Sequence, residues 1–233
     1  MATLIERMRT ASPNLVLFDL DGTLIDSVGD LADAANEVLK EFGRAPRTDR
    51  EIRNFVGNGV QSLLDRCLVG HMDGGAPQEE IDRAVHRFRT RYLAHCTART
   101  VLLPGAREAL VALRSRNIRT GVLTNKPEAP TRRILSHFGI DQLFDGVVGG
   151  DTLDVRKPDL RVVHEAYRQC GVATNCDGWF VGDSSTDALT AARAGMTSVI
   201  VRGGYNHGLP VEAIRPTPDL IIADLLELAT ALV

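Results

Sequence analysis

The chain has 233 residues, of which 44% are hydrophobic, and a formal net charge of −3. This length and composition permit a full hydrophobic core, in one large domain or in a core with an inserted second unit. The small negative charge gives no electrostatic argument for a nucleic-acid partner or an anionic membrane. The four cysteines, Cys67, Cys96, Cys170 and Cys176, form no Cys-x-x-Cys pair, so we expect free thiols in a reducing compartment.

The sequence carries no signal for export or for a membrane. Residues 1–9 place charges on both sides of a few apolar residues, so they lack the apolar core of a signal peptide. No apolar run approaches the length that spans a bilayer. We therefore expect a cytoplasmic protein that has no membrane partner.

The first predicted strand, residues 15–17, runs directly into the most informative segment of the chain, FDLDGTLIDS at residues 18–27. Asp19 and Asp21 lie one residue apart where the strand enters a turn at Gly22. In open α/β folds, ligands bind at the carboxyl ends of strands. With a divalent metal bound, one Asp can act as a nucleophile and the other as an acid and base. Taken alone, the motif is more often a simple helix-capping turn.

Residues 30–96 show no strand pattern. They predict four helices, at residues 31–42, 49–55, 60–68 and 77–95, separated by glycine-containing segments. We therefore predict a helical domain at residues 29–96, inserted into a core made of residues 1–28 and 97–233. An insert directly after the first motif suggests a lid that excludes water from the site.

From residue 103 onward, predicted helices and strands alternate. The helices are at residues 106–116, 128–138, 159–170, 186–194 and 223–232; the strands are at 119–124, 146–149, 178–181 and 198–201, with a short edge strand after a turn at 216–219. Such alternation predicts an α/β fold with a parallel sheet that has helices on both faces.

Three later segments supply groups that phosphoryl chemistry on an aspartate requires. The strand at residues 119–124 ends in Thr124 and Asn125, which can donate hydrogen bonds to phosphate oxygens. Lys157 precedes a predicted helix and can offset the charge of a phosphoryl group. The strand at residues 178–181 leads to Asp183 and Asp187. Each segment is weak alone, but together, in this order and at strand ends, they favour a catalytic site over helix capping.

This ordered set resembles the haloacid dehalogenase superfamily of phosphotransferases over nearly the whole chain. The resemblance implies a Rossmann-like parallel-sheet core with an inserted helical cap. It also implies that Asp19 attacks phosphorus to form an aspartyl-phosphate. Asp21 would protonate the leaving oxygen and then activate water, while Thr124 and Lys157 would hold the phosphoryl group, with Gly22 and Asn125 beside them.

The resemblance further implies a Mg²⁺ ion between the Asp19 carboxylate, the Asp21 backbone carbonyl and Asp183. Asp187 would be an outer carboxylate that orients water or Lys157. Elementary electrostatics agrees, because one anion attacks another slowly unless a metal and a lysine offset their charge. Oxygen ligands with retained waters suit Mg²⁺ better than zinc.

Segments between the motifs are similar to those of bacterial phosphoglycolate phosphatases. They are LIDS at 24–27, VGNGV at 56–60, LPG at 103–105, LTNKP at 123–127, VGGD at 148–151 and GYNHG at 204–208. This similarity implies hydrolysis of 2-phosphoglycolate to glycolate and phosphate. One departure is Asp159, which follows Pro158 where those phosphatases usually have His.

In such enzymes the cap selects the substrate. We expect Gly57, Asn58 and Gly59 to lie over the substrate, since two glycines free the backbone to approach a small ligand. Arg53 and Arg66 flank this segment and are candidates for binding a substrate carboxylate. The expected partner is a small phosphorylated metabolite, and the protein is expected to be a monomer or a homodimer.

Several alternatives share the same catalytic residues. Sugar phosphates, nucleotides, N-acetylmuramic acid 6-phosphate and pyrophosphate stay open as substrates. A dehalogenase would not need Asp21, because a halide leaves without a proton, and a β-phosphoglucomutase is expected to carry a His soon after the first motif, which residues 27–31 lack. A non-catalytic phosphate-binding regulator would usually lack one catalytic group, and this sequence has them all.

Overall fold

The first strand is fully buried at the centre of a sheet. In the computed structural model, which describes residues 12–174 and 176–232, strand β1 is Leu15–Phe18, and each of its residues is 0% exposed. It pairs in parallel with β4 (Arg119–Leu123) on one side and with β6 (Gly178–Gly182) on the other. Because neither face of β1 meets water, its sequence is a continuous apolar run.

After β1, the chain forms a helical insert with a short two-stranded ribbon at its base. The helices are α1 (Val28–Glu41), α2 (Asp49–Phe55), α3 (Val60–Val69) and α4 (Gln78–His95). The ribbon pairs β2 (Ile25–Asp26) antiparallel with β3 (Val101–Leu102), so the chain leaves and re-enters the core at one place.

The buried Asp30 side chain closes this base. It accepts hydrogen bonds from the Arg99 amide at 2.8 Å, the Thr100 amide at 2.9 Å and the Thr100 hydroxyl at 2.7 Å. These contacts join the first turn of α1 to the segment that returns from the insert. The net contribution of a hydrogen bond to stability is larger when one partner is charged. Asp30 therefore holds together the two chain segments that join the insert to the core.

The sheet has six parallel strands in the order β5-β4-β1-β6-β7-β8. The outer strands are β5 (Gly146–Val148), β7 (Thr197–Val201) and β8 (Leu220–Ile222). Every pair in this sheet is parallel. The α/β prediction and the short edge strand after the 216–219 turn are therefore confirmed.

Alternate residues of β1 face two separate layers of helices. Val16 and Phe18 lie in one core with helices α5 (Ala106–Ser115), α6 (Glu128–His137) and α9 (Leu225–Ala231). Leu15 and Leu17 lie in the opposite core with helices α7 (Leu160–Cys170) and α8 (Ser185–Ala194). The period of two along a strand produces this division.

The sequence missed two local features of the insert. Helix α1 begins at Val28 rather than at residue 31, and the β2–β3 ribbon was not predicted. Strands of two residues carry too little alternation to be recognised. The apolar residues of the insert join the same core as Val16 and Phe18, and its status as a separate domain at residues 29–96 stays a prediction.

Other expectations concern the whole chain. All four thiols are free, as expected. Over the residues that the structure describes, no helix is both long and apolar enough to cross a membrane. The prediction about residues 1–9 lies outside the described residues.

Candidate active site

Three neighbouring strands deliver predicted site residues to one edge of the sheet. Asp19 follows β1, Thr124 follows β4, and Asp183 follows β6. Because these strands are adjacent and parallel, their carboxyl ends meet. All three residues line one cavity, together with Asp21 from the turn after β1 and Lys157 from the segment between β5 and α7. The structure thus brings together residues of the four motifs, which lie between positions 19 and 183 of the sequence.

Lys157 is the buried cation of this cluster. Its side chain is 2% exposed, and its Nζ lies 2.8 Å from Asp19 Oδ1 and 2.7 Å from Asp187 Oδ1. Burial alone would lower the pKa of Lys157, but the charges of Asp187 and Asp19 raise it well above its ordinary value. The lysine is therefore charged at neutral pH and ties the end of β1 to helix α8.

Asp187 has its second oxygen committed to the start of α8. That oxygen, Oδ2, accepts the amides of Asp183 and Ser184 at 3.1 Å each and the Ser184 hydroxyl at 2.7 Å. Burial raises the pKa of Asp187, but the Lys157 charge and these hydrogen bonds hold it below its usual range. This bonding fits the predicted outer role for Asp187, whose two oxygens both have protein partners.

Asp183 is pressed against the turn after β1. A Cβ atom on Gly22, which has a φ of +85°, would lie 2.4 Å from Asp183 Oδ2, so glycine is required at this position. The same oxygen accepts the Tyr205 amide. Burial and the nearby charges of Asp187 and Asp19 raise the pKa of Asp183 well above its ordinary value.

The cluster has the properties of a cation site. Carboxylate oxygens of Asp19, Asp183 and Asp187 lie within 4.8 Å of one another, and all three residues are buried. Burial raises the pKa of Asp19 to about 6, against the lowering effect of Lys157. Asp19 Oδ1 is buried without a well-aligned hydrogen bond, although Lys157 lies 2.8 Å away. One ammonium does not balance these charges, so the residues fit a hard divalent cation that prefers oxygen ligands.

Thr124 and Asn125 differ in what they can offer a phosphate. Thr124 Oγ1 accepts the Lys126 amide at 3.2 Å, which leaves its own O–H available to donate. The Asn125 side chain is committed at both ends. Its Oδ1 accepts the Lys157 amide at 3.0 Å, and its Nδ2 donates to the Gly57 carbonyl at 3.0 Å. In this structure, Asn125 therefore links the Lys157 segment to the insert, although it also lines the cavity.

Lys126, for which the sequence predicts no role, lies beside Asp21 in the structure. The Lys126 side chain is 2% exposed, and its Nζ lies 2.9 Å from Asp21 Oδ1 and 3.1 Å from Asp21 Oδ2. The Ser27 hydroxyl also donates to Asp21 Oδ1, at 2.5 Å. The available signal was a lysine two residues after Thr124, at the same strand end. Without the fold, however, its partner could not be known.

The insert covers the cavity with glycines and apolar side chains. Gly57 and Gly59 line the cavity with φ angles of +126° and +88°, which fits their predicted close approach to a ligand. The apolar side chains of Leu31, Val60 and Leu63 line the same cavity.

The other three predicted cap residues do not line this cavity. Arg53 pairs with Asp26 at 2.7 Å and lies 4.7 Å from the centre of the Tyr205 ring. Arg66 donates to the Phe55 and Met72 carbonyls and, at 2.9 Å, to Asn58 Oδ1. These partners give no support to direct substrate contact by Arg53, Asn58 or Arg66 in this conformation.

A loop of the core completes the cavity wall. His207 lines the cavity, and its Nδ1 lies 2.9 Å from the Asn54 carbonyl of the insert. Burial lowers the pKa of His207. Tyr205 donates its hydroxyl to Asp26 at 2.9 Å and accepts the Ser27 amide at 3.0 Å, and its own amide donates to Asp183, so this loop contacts both the carboxylate cluster and the base of the insert.

Comparisons with known proteins agree with this architecture. The family model described as haloacid dehalogenase-like hydrolase matches residues 16–201. A phosphoglycolate phosphatase of Pseudomonas putida is 41% identical over 214 residues, which are 91% of this chain and 77% of that protein. Another, of Cereibacter sphaeroides, is 42% identical over 196 residues, which are 82% of this chain and 86% of that protein.

A solved structure agrees as well. The crystal structure of a predicted phosphoglycolate phosphatase from Haemophilus somnus matches with a TM-score of 0.85 and 29% identity, covering 95% of this chain and 98% of that one. The sequence and structure comparisons together confirm the family resemblance that the motifs indicated.

The cation site leads to a prediction about stability. The raised folded-state pKa of Asp183 means that ionising it costs folding free energy at neutral pH. Asp183→Asn should therefore raise the melting temperature of the metal-free protein, by about 2–4 °C for each ~1 kcal/mol gained. Mg²⁺ should raise the melting temperature of the unaltered protein and have little effect on this variant.

Differential scanning calorimetry with EDTA or with Mg²⁺ measures both effects. Asp73→Asn is the matched control, because the Asp73 side chain is 89% exposed, and it should change neither value. A lower metal-free melting temperature for Asp183→Asn, or an undiminished response to Mg²⁺, would contradict the proposed role of the cluster.

Proposed function

The chain belongs to the haloacid dehalogenase-like hydrolases, and we propose that it is a Mg²⁺-dependent phosphatase that hydrolyses 2-phosphoglycolate. The observation that carries this proposal is the buried cluster of Asp19, Asp183, Asp187 and Lys157, with Asp21 beside it. The similarity to phosphoglycolate phosphatases at about 40% identity supports the choice of substrate.

Asp19 is the proposed nucleophile. Lys157 holds its carboxylate at the end of the central strand, and the Asp19 amide donates to the Val181 carbonyl at 2.9 Å. The backbone at this residue is thereby fixed in the sheet, which preorganises the carboxylate for attack on phosphorus. One Asp19 oxygen forms a bond to phosphorus as the ester bond breaks, which yields an aspartyl-phosphate.

Asp19, Asp183 and the Asp21 backbone carbonyl would hold Mg²⁺, which when bound would offset the negative charge of the carboxylates and of the phosphoryl group. Lys157 adds a second positive charge, and the Thr124 hydroxyl donates a hydrogen bond to a phosphoryl oxygen. This division of labour suits phosphoryl transfer, in which catalysis is mainly positioning and charge stabilisation.

Asp21 is the proposed acid and base. It gives a proton to the ester oxygen as glycolate leaves, and it then takes a proton from the water that hydrolyses the aspartyl-phosphate. The helical insert, residues 29–96, acts as the cap. Its glycines and apolar side chains close over the cavity, exclude bulk water and strengthen the electrostatic interactions inside.

A panel of phosphate esters tests the proposed function. With Mg²⁺, 2-phosphoglycolate should give a higher kcat/KM than sugar phosphates, nucleotides, N-acetylmuramic acid 6-phosphate or pyrophosphate. Asp19→Asn should keep the fold and retain less than about a hundredth of the rate, since an amide is a poor nucleophile. A higher kcat/KM for a neutral sugar phosphate would overturn the assignment of 2-phosphoglycolate as the substrate. Full activity in EDTA would overturn the proposed requirement for Mg²⁺.

The role of Asp21 predicts a dependence on the leaving group. Asp21→Asn should slow the hydrolysis of 2-phosphoglycolate severely. It should slow p-nitrophenyl phosphate much less, because p-nitrophenolate leaves without a proton. Steady-state kcat values for both substrates, with thermal melting as a control for folding, measure the difference. An equal loss on both would contradict an acid role for Asp21.

A further inference from the structure

The cavity contains a second lysine whose charge the proposed chemistry does not use. Two lysines line the cavity, Lys126 and Lys157. Lys157 lies within 2.8 Å of both Asp19 and Asp187 and serves the phosphoryl end of the site. Lys126 lies on Asp21, at 2.9 Å and 3.1 Å from its two oxygens. The charge of Lys126 is therefore at the end of the site where the leaving group departs.

At that end, the insert presents no charged side chain among the described residues that line the cavity. Its side chains in the cavity wall include Leu31, Leu63, Phe88 and Tyr92, which surround the space with carbon. The Tyr92 hydroxyl is buried and makes no hydrogen bond of normal geometry. Burying a substrate carboxylate in such surroundings costs free energy unless a cation or a hydrogen-bond donor contacts it. Of the cavity-lining residues, Lys126 supplies that cation, and its ammonium lies 4.6 Å from the centre of the Tyr92 ring.

The position of Lys126 suits a very short leaving group. The Lys126 amide donates to the hydroxyl of Thr124, so the phosphate grip and the lysine belong to one tight turn. In 2-phosphoglycolate, the carboxylate carbon is two bonds from the ester oxygen. Asp21 must reach that oxygen to protonate it, and Asp21 is the group that the Lys126 ammonium touches. A carboxylate so close to the ester oxygen can therefore contact the Lys126 ammonium.

We propose that Lys126 is the group that recognises the substrate carboxylate and that, on binding it, Lys126 releases Asp21 to face the leaving oxygen. This inference rests on the proposed function, because it concerns the same site and the same substrate. In the structure, both Asp21 oxygens contact the Lys126 ammonium, so neither is directed at a leaving group. An incoming carboxylate replaces Asp21 on the lysine, and the released Asp21 carboxylate takes up a proton from solvent before it protonates the leaving oxygen, whereas an ester without a carboxylate leaves the pair intact. One side chain, Lys126, thereby both recognises the substrate carboxylate and frees Asp21 to act as the acid.

A matched pair of substrates tests this role. Ethyl phosphate has the same length as 2-phosphoglycolate but a methyl group in place of the carboxylate. The measured quantity is the ratio of kcat/KM for 2-phosphoglycolate to kcat/KM for ethyl phosphate. Lys126→Met should lower this ratio by at least about tenfold, the size of one lost charge-assisted hydrogen bond. Lys126→Gln, which keeps a polar group beside Asp21, should lower this ratio too. It replaces the Met variant in the test if Lys126→Met lowers the melting temperature.

Lys40→Met makes the same chemical change at an exposed position at the end of α1, and it should leave the ratio unchanged. A second measurement avoids turnover. In an Asp19→Asn background, calorimetric titration should show that Lys126→Gln removes the preference for 3-phosphonopropionate over propylphosphonate, which differ by one carboxylate.

The outcomes separate the two proposals. If the unaltered enzyme does not prefer 2-phosphoglycolate to ethyl phosphate, the proposed substrate fails, and the role of Lys126 fails with it. If the unaltered enzyme has that preference and both Lys126 variants keep it, the proposed function stands and the role of Lys126 is overturned. Equal losses on both substrates would likewise overturn it, because Lys126 would then serve only to position Asp21.

Discussion

The ammonium of Lys157 is the interaction on which the rest of the site depends. It is buried among carboxylates that would otherwise repel one another, and it joins Asp19 at the end of β1 to Asp187 in the first turn of α8. Removing one partner of such a buried pair is strongly destabilising, because the remaining charge stays in a poorly solvated place. The segment that carries Lys157 is held in turn, since Asn125 accepts its amide and donates to the insert at Gly57. Lys157 thus connects the central strand to the helix layer, and Asn125 connects the Lys157 segment to the insert.

The sequence was sufficient to predict the sheet and the four motifs because both depend on local pattern. Buried strands such as Leu15–Phe18 and Gly178–Gly182 appear as apolar runs, and in a parallel sheet the residues after each run gather at one edge. The period of the helices predicted the four helices of the insert and all five helices of the core to within a few residues. For these features, the order of residues along the chain carries the necessary information.

Side-chain partners were not predictable in the same way. The charge and polarity of Arg53, Asn58 and Arg66 favour binding of a carboxylate. In the fold, however, Arg53 pairs with Asp26. Arg66 donates hydrogen bonds to the Phe55 and Met72 carbonyls and to the Asn58 side chain. Lys126 was overlooked because its partner, Asp21, is 105 residues away in sequence. Such pairs are decided by how the insert and the strand ends come together, which no short-range pattern records.

The central claim is that Asp19 attacks phosphorus, and trapping the intermediate tests it most directly. Enzyme mixed with 2-phosphoglycolate and Mg²⁺, quenched in acid within one turnover and digested, should yield a peptide that carries one phosphoryl group on Asp19. Borohydride reduction should convert that residue to homoserine. Full turnover with no phosphorylated peptide at any quench time, or with the phosphoryl group on another residue, would contradict this account.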